Sequence, residues 1–491
     1  MLNIFDIIKK DDDRYCILVC SREIQITQIS MTYTDKSIIE AEKLDFHNFD
    51  TYIQNRFKHM LSLGFTHCEV FYVRDIQPGV MFTCKDHAIE IYDQFSTYLK
   101  LHSLVKDNMY VMNHKNGVMV MSRTAFIRKF LFSKAKFAYK IIFAALLIFR
   151  IRKYDLYGEY MDQTNDNAFQ IFSTLLLKKE QKNIYFITTQ SSIDKTCNQK
   201  VKKHLVVRNS MEYMVLLFFS KRWITSWNLH DSIVSNHPVI KYFYPLLSNN
   251  WYFVPHGVSF DKDSIYLSRS CYSMPKCTLV SSELEKDFFI NECGYDNVEV
   301  IGYPRMDKFS PSESNKTVLF FTWRVSNNTY VTYIESIVSQ LTNDDLVYVF
   351  HPATPLEDIN SITIKLTNIS KNIDFVKPED SSAFNHAINT SNLLITDYSS
   401  LAYDFFYKDG FVIYFQDPLF IGGHYTLNEK FYDNCMGVVC LTLDELQTAV
   451  KNVKSGRDVY DYSKDDKINQ FFRYRDKNNT SRVMSSIYDD K

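Results

Sequence analysis

Five short motifs in this chain place chemically capable side chains directly after apolar runs. They are Trp251-Tyr252-Phe253-Val254-Pro255-His256-Gly257, Gly302-Tyr303-Pro304-Arg305-Met306-Asp307, Phe320-Phe321-Thr322-Trp323-Arg324, Val347-Tyr348-Val349-Phe350-His351-Pro352, and Thr396-Asp397-Tyr398-Ser399-Ser400 with Asp404. An imidazole titrates near neutrality, so His256 or His351 can serve as a general base. The guanidinium of Arg305 or Arg324 offers a fork for phosphate or carboxylate. Ser399 and Ser400 open a helical pattern, where free N–H groups and the helix dipole favour an anion. Each motif also has a structural reading: a satisfied histidine, an Arg–Asp turn, an Arg–aromatic packing pair, a helix cap. Two histidines, two arginines and a paired-serine helix start together favour an anion-handling active site.

Side chains of this kind need a frame. From residue 154 onward, strand-like runs alternate with helical patterns, which predicts parallel sheets covered by helices. Strands are expected at 183–188, 204–208, 223–226, 251–254, 277–280 and 298–301, then at 317–322, 346–350, 373–376, 393–396, 412–415 and 438–441. Two tandem units of this type leave a cleft, with ligands at the carboxyl ends of the strands. Neither G-x-G-x-x-G nor G-x-x-x-x-G-K-[ST] occurs, which counts against a dinucleotide enzyme and a P-loop kinase.

The chain's 491 residues exceed what one core can organise, so two or three domains are expected. A net charge of −1 provides no global attraction for nucleic acid, and no nucleic-acid partner is expected. The ten cysteines form no C-x-x-C pair, and the first residues lack a signal-peptide pattern, so reduced thiols on the cytoplasmic side are expected. Residues 122–153 carry nine Lys or Arg and no Asp or Glu around an apolar run from Ile141 to Phe149. That run is too short to span a bilayer but suits a helix lying on anionic lipid. Asp11-Asp12-Asp13 reads as a solvated turn rather than a metal site.

With these motifs in order, residues 250–455 resemble the CDP-glycerol glycerophosphotransferases that build teichoic-acid-type polymers. The likeness continues through Val412-Ile413-Tyr414-Phe415 into Val438 to Val450. It implies an α/β, GT-B-like fold of two Rossmann-like domains facing a cleft, with an additional N-terminal domain. The expected division is 1–120 accessory, 121–153 membrane-surface segment, 154–310 acceptor-side domain and 311–491 donor-nucleotide domain. The implied activity moves a polyol phosphate, glycerol phosphate above all, from a CDP-activated donor to a lipid-linked or polymeric acceptor. His256 is the implied base; His351, Ser399 and Ser400, with Arg305, Arg324 and Asp404, would hold the donor pyrophosphate and nucleotide. No cofactor or metal is called for, and the enzyme would sit peripherally on the inner membrane face. The chain departs from the family at Pro255-His256-Gly257-Val258, where Trp-His-Gly-Thr is common, and at Asn434-Cys435-Met436-Gly437, where an acidic Pro-Gly stretch is common. A nucleotide-sugar GT-B glycosyltransferase and a non-catalytic polymer-binding scaffold are the competing readings.

Overall fold

The computed structural model describes strand segments between residues 2 and 122 and most of residues 153–489, apart from 161–163, 179–182, 197, 235–249, 261–274, 313, 315, 322–326, 343, 352–353, 379, 417–434 and 457–463. Arg324, Asp11 to Asp13 and almost all of the basic segment 122–153 therefore lie outside the described residues, as do residues 49–63, where the sequence carries a helical pattern.

The N-terminal strands form two sheets. One has five strands and pairs Arg14–Ser21 with both Leu2–Lys9 and His67–Arg74; the other has six and includes Met109–His114 and Gly117–Ser122. Cys16 to Cys20, Val70 and Phe71 are all buried, so both faces of the first of these sheets are covered at these strands.

Two parallel sheets follow. The first contains β1 (Tyr154–Gly158), β2 (Ile184–Thr188), β3 (Leu205–Val207), β4 (Ser220–Thr225), β5 (Trp251–Phe253), β6 (Cys277–Val280) and β7 (Val298–Val300). Its spatial order is β3-β2-β1-β4-β5-β6-β7. The second contains β8 (Lys316–Phe320), β9 (Leu346–Val349), β10 (Ile373–Val376), β11 (Ser391–Thr396), β12 (Phe411–Phe415) and β13 (Val438–Cys440), ordered β10-β9-β8-β11-β12-β13. Both orders reverse beside their first strand, the arrangement of a Rossmann-like sheet. Burial on both faces explains the composition: β5, β6 and β9 are buried at every position and read as continuous apolar runs rather than alternating ones. Twelve short strands were expected from residue 154 to the end, and each has a counterpart displaced by no more than a few residues. The strand Tyr154–Gly158 was not among them.

The two units are fastened to each other by aromatic and capping contacts. Phe260, which follows the His256 loop, stacks on Phe471 at 5.7 Å and lies 6.0 Å from Tyr403 of the helix Leu401–Tyr407. The last helix, Asn479–Tyr488, returns from the second unit to the first. Asp307 accepts hydrogen bonds from the Asn479 N–H (3.1 Å), the Thr480 N–H (2.8 Å) and the Thr480 hydroxyl (2.7 Å), so it caps that helix. Gly302 makes the crossing possible. Its φ is +97°, and a Cβ there would lie 2.1 Å from Asn479 Oδ1. Gly302→Ala should destabilise the fold by on the order of 2 kcal/mol or more, read as a lowered denaturant midpoint; an unchanged midpoint would show that the helix is not clamped there.

Candidate active site

The loops after β1, β5 and β7 meet the loop after β11. His256 stands three residues beyond β5 on the Pro255-His256-Gly257 turn, and its Nδ1 hydrogen-bonds Asp166 Oδ2. Asp166 is 3% exposed, while the His256 side chain keeps 39% of its surface open. An acceptor on Nδ1 fixes the tautomer in which Nε2 carries the lone pair. Asp166 is itself held in place: Glu159, at the end of β1, accepts the backbone N–H groups of Asn165 (3.2 Å), Asp166 (3.1 Å) and Phe169 (2.6 Å). Burial first, and the neighbouring Asp166 charge second, push the Glu159 carboxyl well above its usual range.

Asn167 joins two of the motifs. Its Nδ2 donates to the Pro255 carbonyl at 2.8 Å, and its Oδ1 accepts the Arg305 N–H at 2.9 Å. Arg305 follows the Gly302-Tyr303 turn after β7, and its side chain crosses to the second unit. Nη2 donates to Asp404 Oδ1 at 2.7 Å, and Nε lies 3.7 Å from Asp166 Oδ1. Burial alone would lower the Arg305 pKa, but Asp404 and then Asp166 outweigh it, and the net shift is upward. Burial raises Asp404 to about 6, although Arg305 and His256 oppose that shift. Arg305 therefore pairs with Asp404 of the second unit and not within its own turn, where Asp307 serves the last helix.

The serine motif sits against the same loop. A Cβ added to Gly257 would lie 3.2 Å from Ser400 Oγ and 3.3 Å from Arg305 Nη2, so a larger residue there would press on side chains from both units. Ser400 makes no side-chain cap, whereas Ser399 Oγ accepts the Leu401 N–H at 3.1 Å. One of the N–H groups expected to face an anion is therefore already engaged. Asp404 is fully buried on the Arg305 guanidinium. His351 follows β9, with its ring 5.8 Å from Phe320 at the end of β8. It shares the carboxyl edge of the second sheet with Ser399 and Ser400, two strand positions or roughly 10 Å along.

Sequence reasoning passed over Asp166, Asn167 and Glu285. Glu285 is fully buried; it accepts the Ser281 N–H (3.0 Å), the Ser281 hydroxyl (2.6 Å) and the Tyr303 hydroxyl (2.7 Å). It thereby ties the end of β6 to the Arg305 turn. Burial pushes its carboxyl up to about 7, against the lowering effect of the Ser281 and Tyr303 hydrogen bonds. A carboxyl raised in the folded state binds a proton that the unfolded chain has released, so stability falls as pH rises between about 4.3 and about 7. Glu285→Gln should flatten that part of the stability–pH curve, measured by urea unfolding at several pH values. A slope equal to that of the unmodified protein would rule the assignment out.

The profile of the CDP-Glycerol:Poly(glycerophosphate) glycerophosphotransferase family matches residues 152–489. The chain belongs to this family. The minor teichoic acid biosynthesis protein GgaB of Bacillus subtilis (strain 168) is 24% identical over 415 residues, covering 76% of this chain and 43% of GgaB. The chain thus spans less than half the length of that relative. Two variant structures of the wall teichoic acid polymerase TagF share the fold with a TM-score of 0.51 and 15% identity, one covering 72% of this chain and 97% of TagF, the other 73% and 98%. A further TagF variant, soaked with CDPG, aligns with a TM-score of 0.50 and 14% identity over 72% of this chain and 96% of that one.

Proposed function

We propose that the protein transfers a polyol phosphate, glycerol phosphate first among the candidates, from a CDP-activated donor to a hydroxyl of a membrane-linked or polymeric teichoic-acid-type acceptor. One observation carries the reading. His256, with Nδ1 held by Asp166, lies at the junction where Arg305 and Ser400 of the two units converge. Family membership and the CDPG-soaked TagF structure support the donor class.

In this mechanism the acceptor oxygen attacks the phosphorus that bears the polyol, and His256 Nε2 takes its proton. A new O–P bond forms as the P–O bond to CMP breaks, and CMP leaves with the electron pair. Asp166 steadies the imidazolium that results. Arg305, Arg324, His351 and the Ser399-Ser400 turn offset charge on the pyrophosphate; preorganised donors of this kind each contribute on the order of 3 kcal/mol. The basic segment 122–153 would hold the enzyme at the inner, anionic face of the membrane. Among the described residues no helix is long and apolar enough to cross a membrane.

The test is nucleotide release from CDP-glycerol, CDP-ribitol and UDP-sugars in the presence of lipid vesicles. CMP release supports the proposal. UDP release would instead make the protein a glycosyltransferase, and polymer binding without turnover would make it a scaffold.

A further inference from the structure

Three rings stand in a row along the carboxyl edge of the first sheet, one after each of the adjacent strands β1, β4 and β5. Tyr160 lies 5.4 Å from Trp227 with the planes at 66°, and Trp227 lies 5.6 Å from His256 with the planes at 76°. Trp227 and Tyr160 are only partly buried, whereas Trp223 and Trp251 of the same sheet are each 1% exposed. Trp227 is fixed from behind: the Thr225 hydroxyl donates to its carbonyl at 2.7 Å, and Trp251 Nε1 donates to Thr225 Oγ1 at 2.9 Å. Two partly open aromatic rings leading away from a candidate base are not required by the core, which is already complete beneath them.

Polar groups line the same place. Asn228 caps the helix Leu229–Ser232: its Oδ1 accepts the Asp231 N–H at 2.9 Å, and its Nδ2 donates to Asp231 Oδ2 at 2.7 Å. Burial first, and the Asp231 charge second, raise the Tyr160 phenol. Arg208, the nearby cation, directs Nη2 to the backbone carbonyls of Asp231 and Ser232, the former at 2.7 Å, rather than to the Asp231 carboxylate.

We infer that Tyr160 and Trp227 form an acceptor subsite for a neutral pyranose ring, whose hydroxyl is presented to His256 while the Asp231 carboxylate, held by Asn228, binds another of its hydroxyls. This inference rests on the reading of His256 as the base that activates the acceptor. Aromatic walls with a few placed polar groups are the usual lining of a small-molecule site. A pyranose has an apolar C–H face to lay on a ring and hydroxyls to give to a carboxylate. A glycerol phosphate chain has no such face, and its charge would meet Asp231 with the same sign.

Two measurements on the full chain decide the matter. In saturation-transfer NMR with methyl glucopyranoside, the sugar ring protons should receive saturation from the unmodified protein and from Tyr160→Phe, but not from Tyr160→Ala or Trp227→Ala. In CMP release from CDP-glycerol, a pyranoside-terminated acceptor should be used about tenfold or more better than glycerol 3-phosphate. Tyr160→Ala should collapse that ratio and Tyr160→Phe should keep it. Equal use of both acceptors, or sugar-ring saturation that survives Tyr160→Ala, overturns the inference. Sugar binding that depends on the two rings without any CMP release would keep the subsite and refute the proposed transfer instead.

Discussion

His256→Ala should lower polyol phosphate transfer by roughly 10²–10⁴-fold, the span for loss of a positioned general base, while donor binding stays near that of the unmodified protein. The separation follows from geometry. His256 touches Asp166 and Trp227 on the first unit, whereas the groups proposed for the pyrophosphate come largely from the carboxyl edge of the second. Asp166→Asn should produce a smaller loss of the same kind, because an amide can still hold the ring but supports either tautomer and carries no charge to steady the imidazolium. Transfer rates and CDP-glycerol affinity, measured together on both variants, check this. Retained turnover with lost donor binding would show that His256 is a binding residue and not the base.

Arg305→Ala should cost about 3–5 kcal/mol of folding stability as well as activity, because it leaves a buried carboxylate without its partner. The pair is dry enough for the full penalty: the Arg305 side chain is 10% exposed and that of Asp404 is 0%. Among the described residues Arg305 Nε and Asp404 Oδ2 have no hydrogen-bond partner, so this ion pair rests on the single hydrogen bond at 2.7 Å. The double variant Arg305→Met/Asp404→Leu separates the two roles. It should regain most of the lost stability, since an apolar pair of similar volume fits a dry site, yet recover no transfer, because the guanidinium is gone. Urea unfolding and CMP release read the two effects separately. Recovery of activity in the double variant would reduce Arg305 to a structural strut.

The frame of this site was readable because buried parallel strands are short, apolar on both faces and stopped by a turn residue; β6 begins and ends where its side chains say it should. The histidines were readable because each directly follows such a strand. Carboxylates were harder. Asp166 stands in a polar stretch with no local pattern, and its meaning comes only from His256, 90 residues away. Asp404 lies on a helical face within a serine motif and so reads as part of a nucleotide site, yet the helix turns it inward to Arg305, 99 positions earlier. Local chemistry competed at Ser399, whose hydroxyl serves the helix start in the way most serines do. Glu285 looks in sequence like one charge among Glu283, Glu285 and Lys286 on a surface helix; its contacts with Ser281 and Tyr303 reveal that it faces the core.

The return of the helix Asn479–Tyr488 bears on any attempt to dissect the molecule. Its Val483 and Ile487 are both 0% exposed, and its Tyr488 ring sits 4.8 Å from the Arg222 guanidinium in the first sheet. A fragment ending near residue 312 would expose that apolar seat, and its complement would carry an orphaned amphipathic tail. Fusing the tail to the first fragment through a flexible tether is the arrangement in which separately produced halves should dissolve, recognise each other and reconstitute.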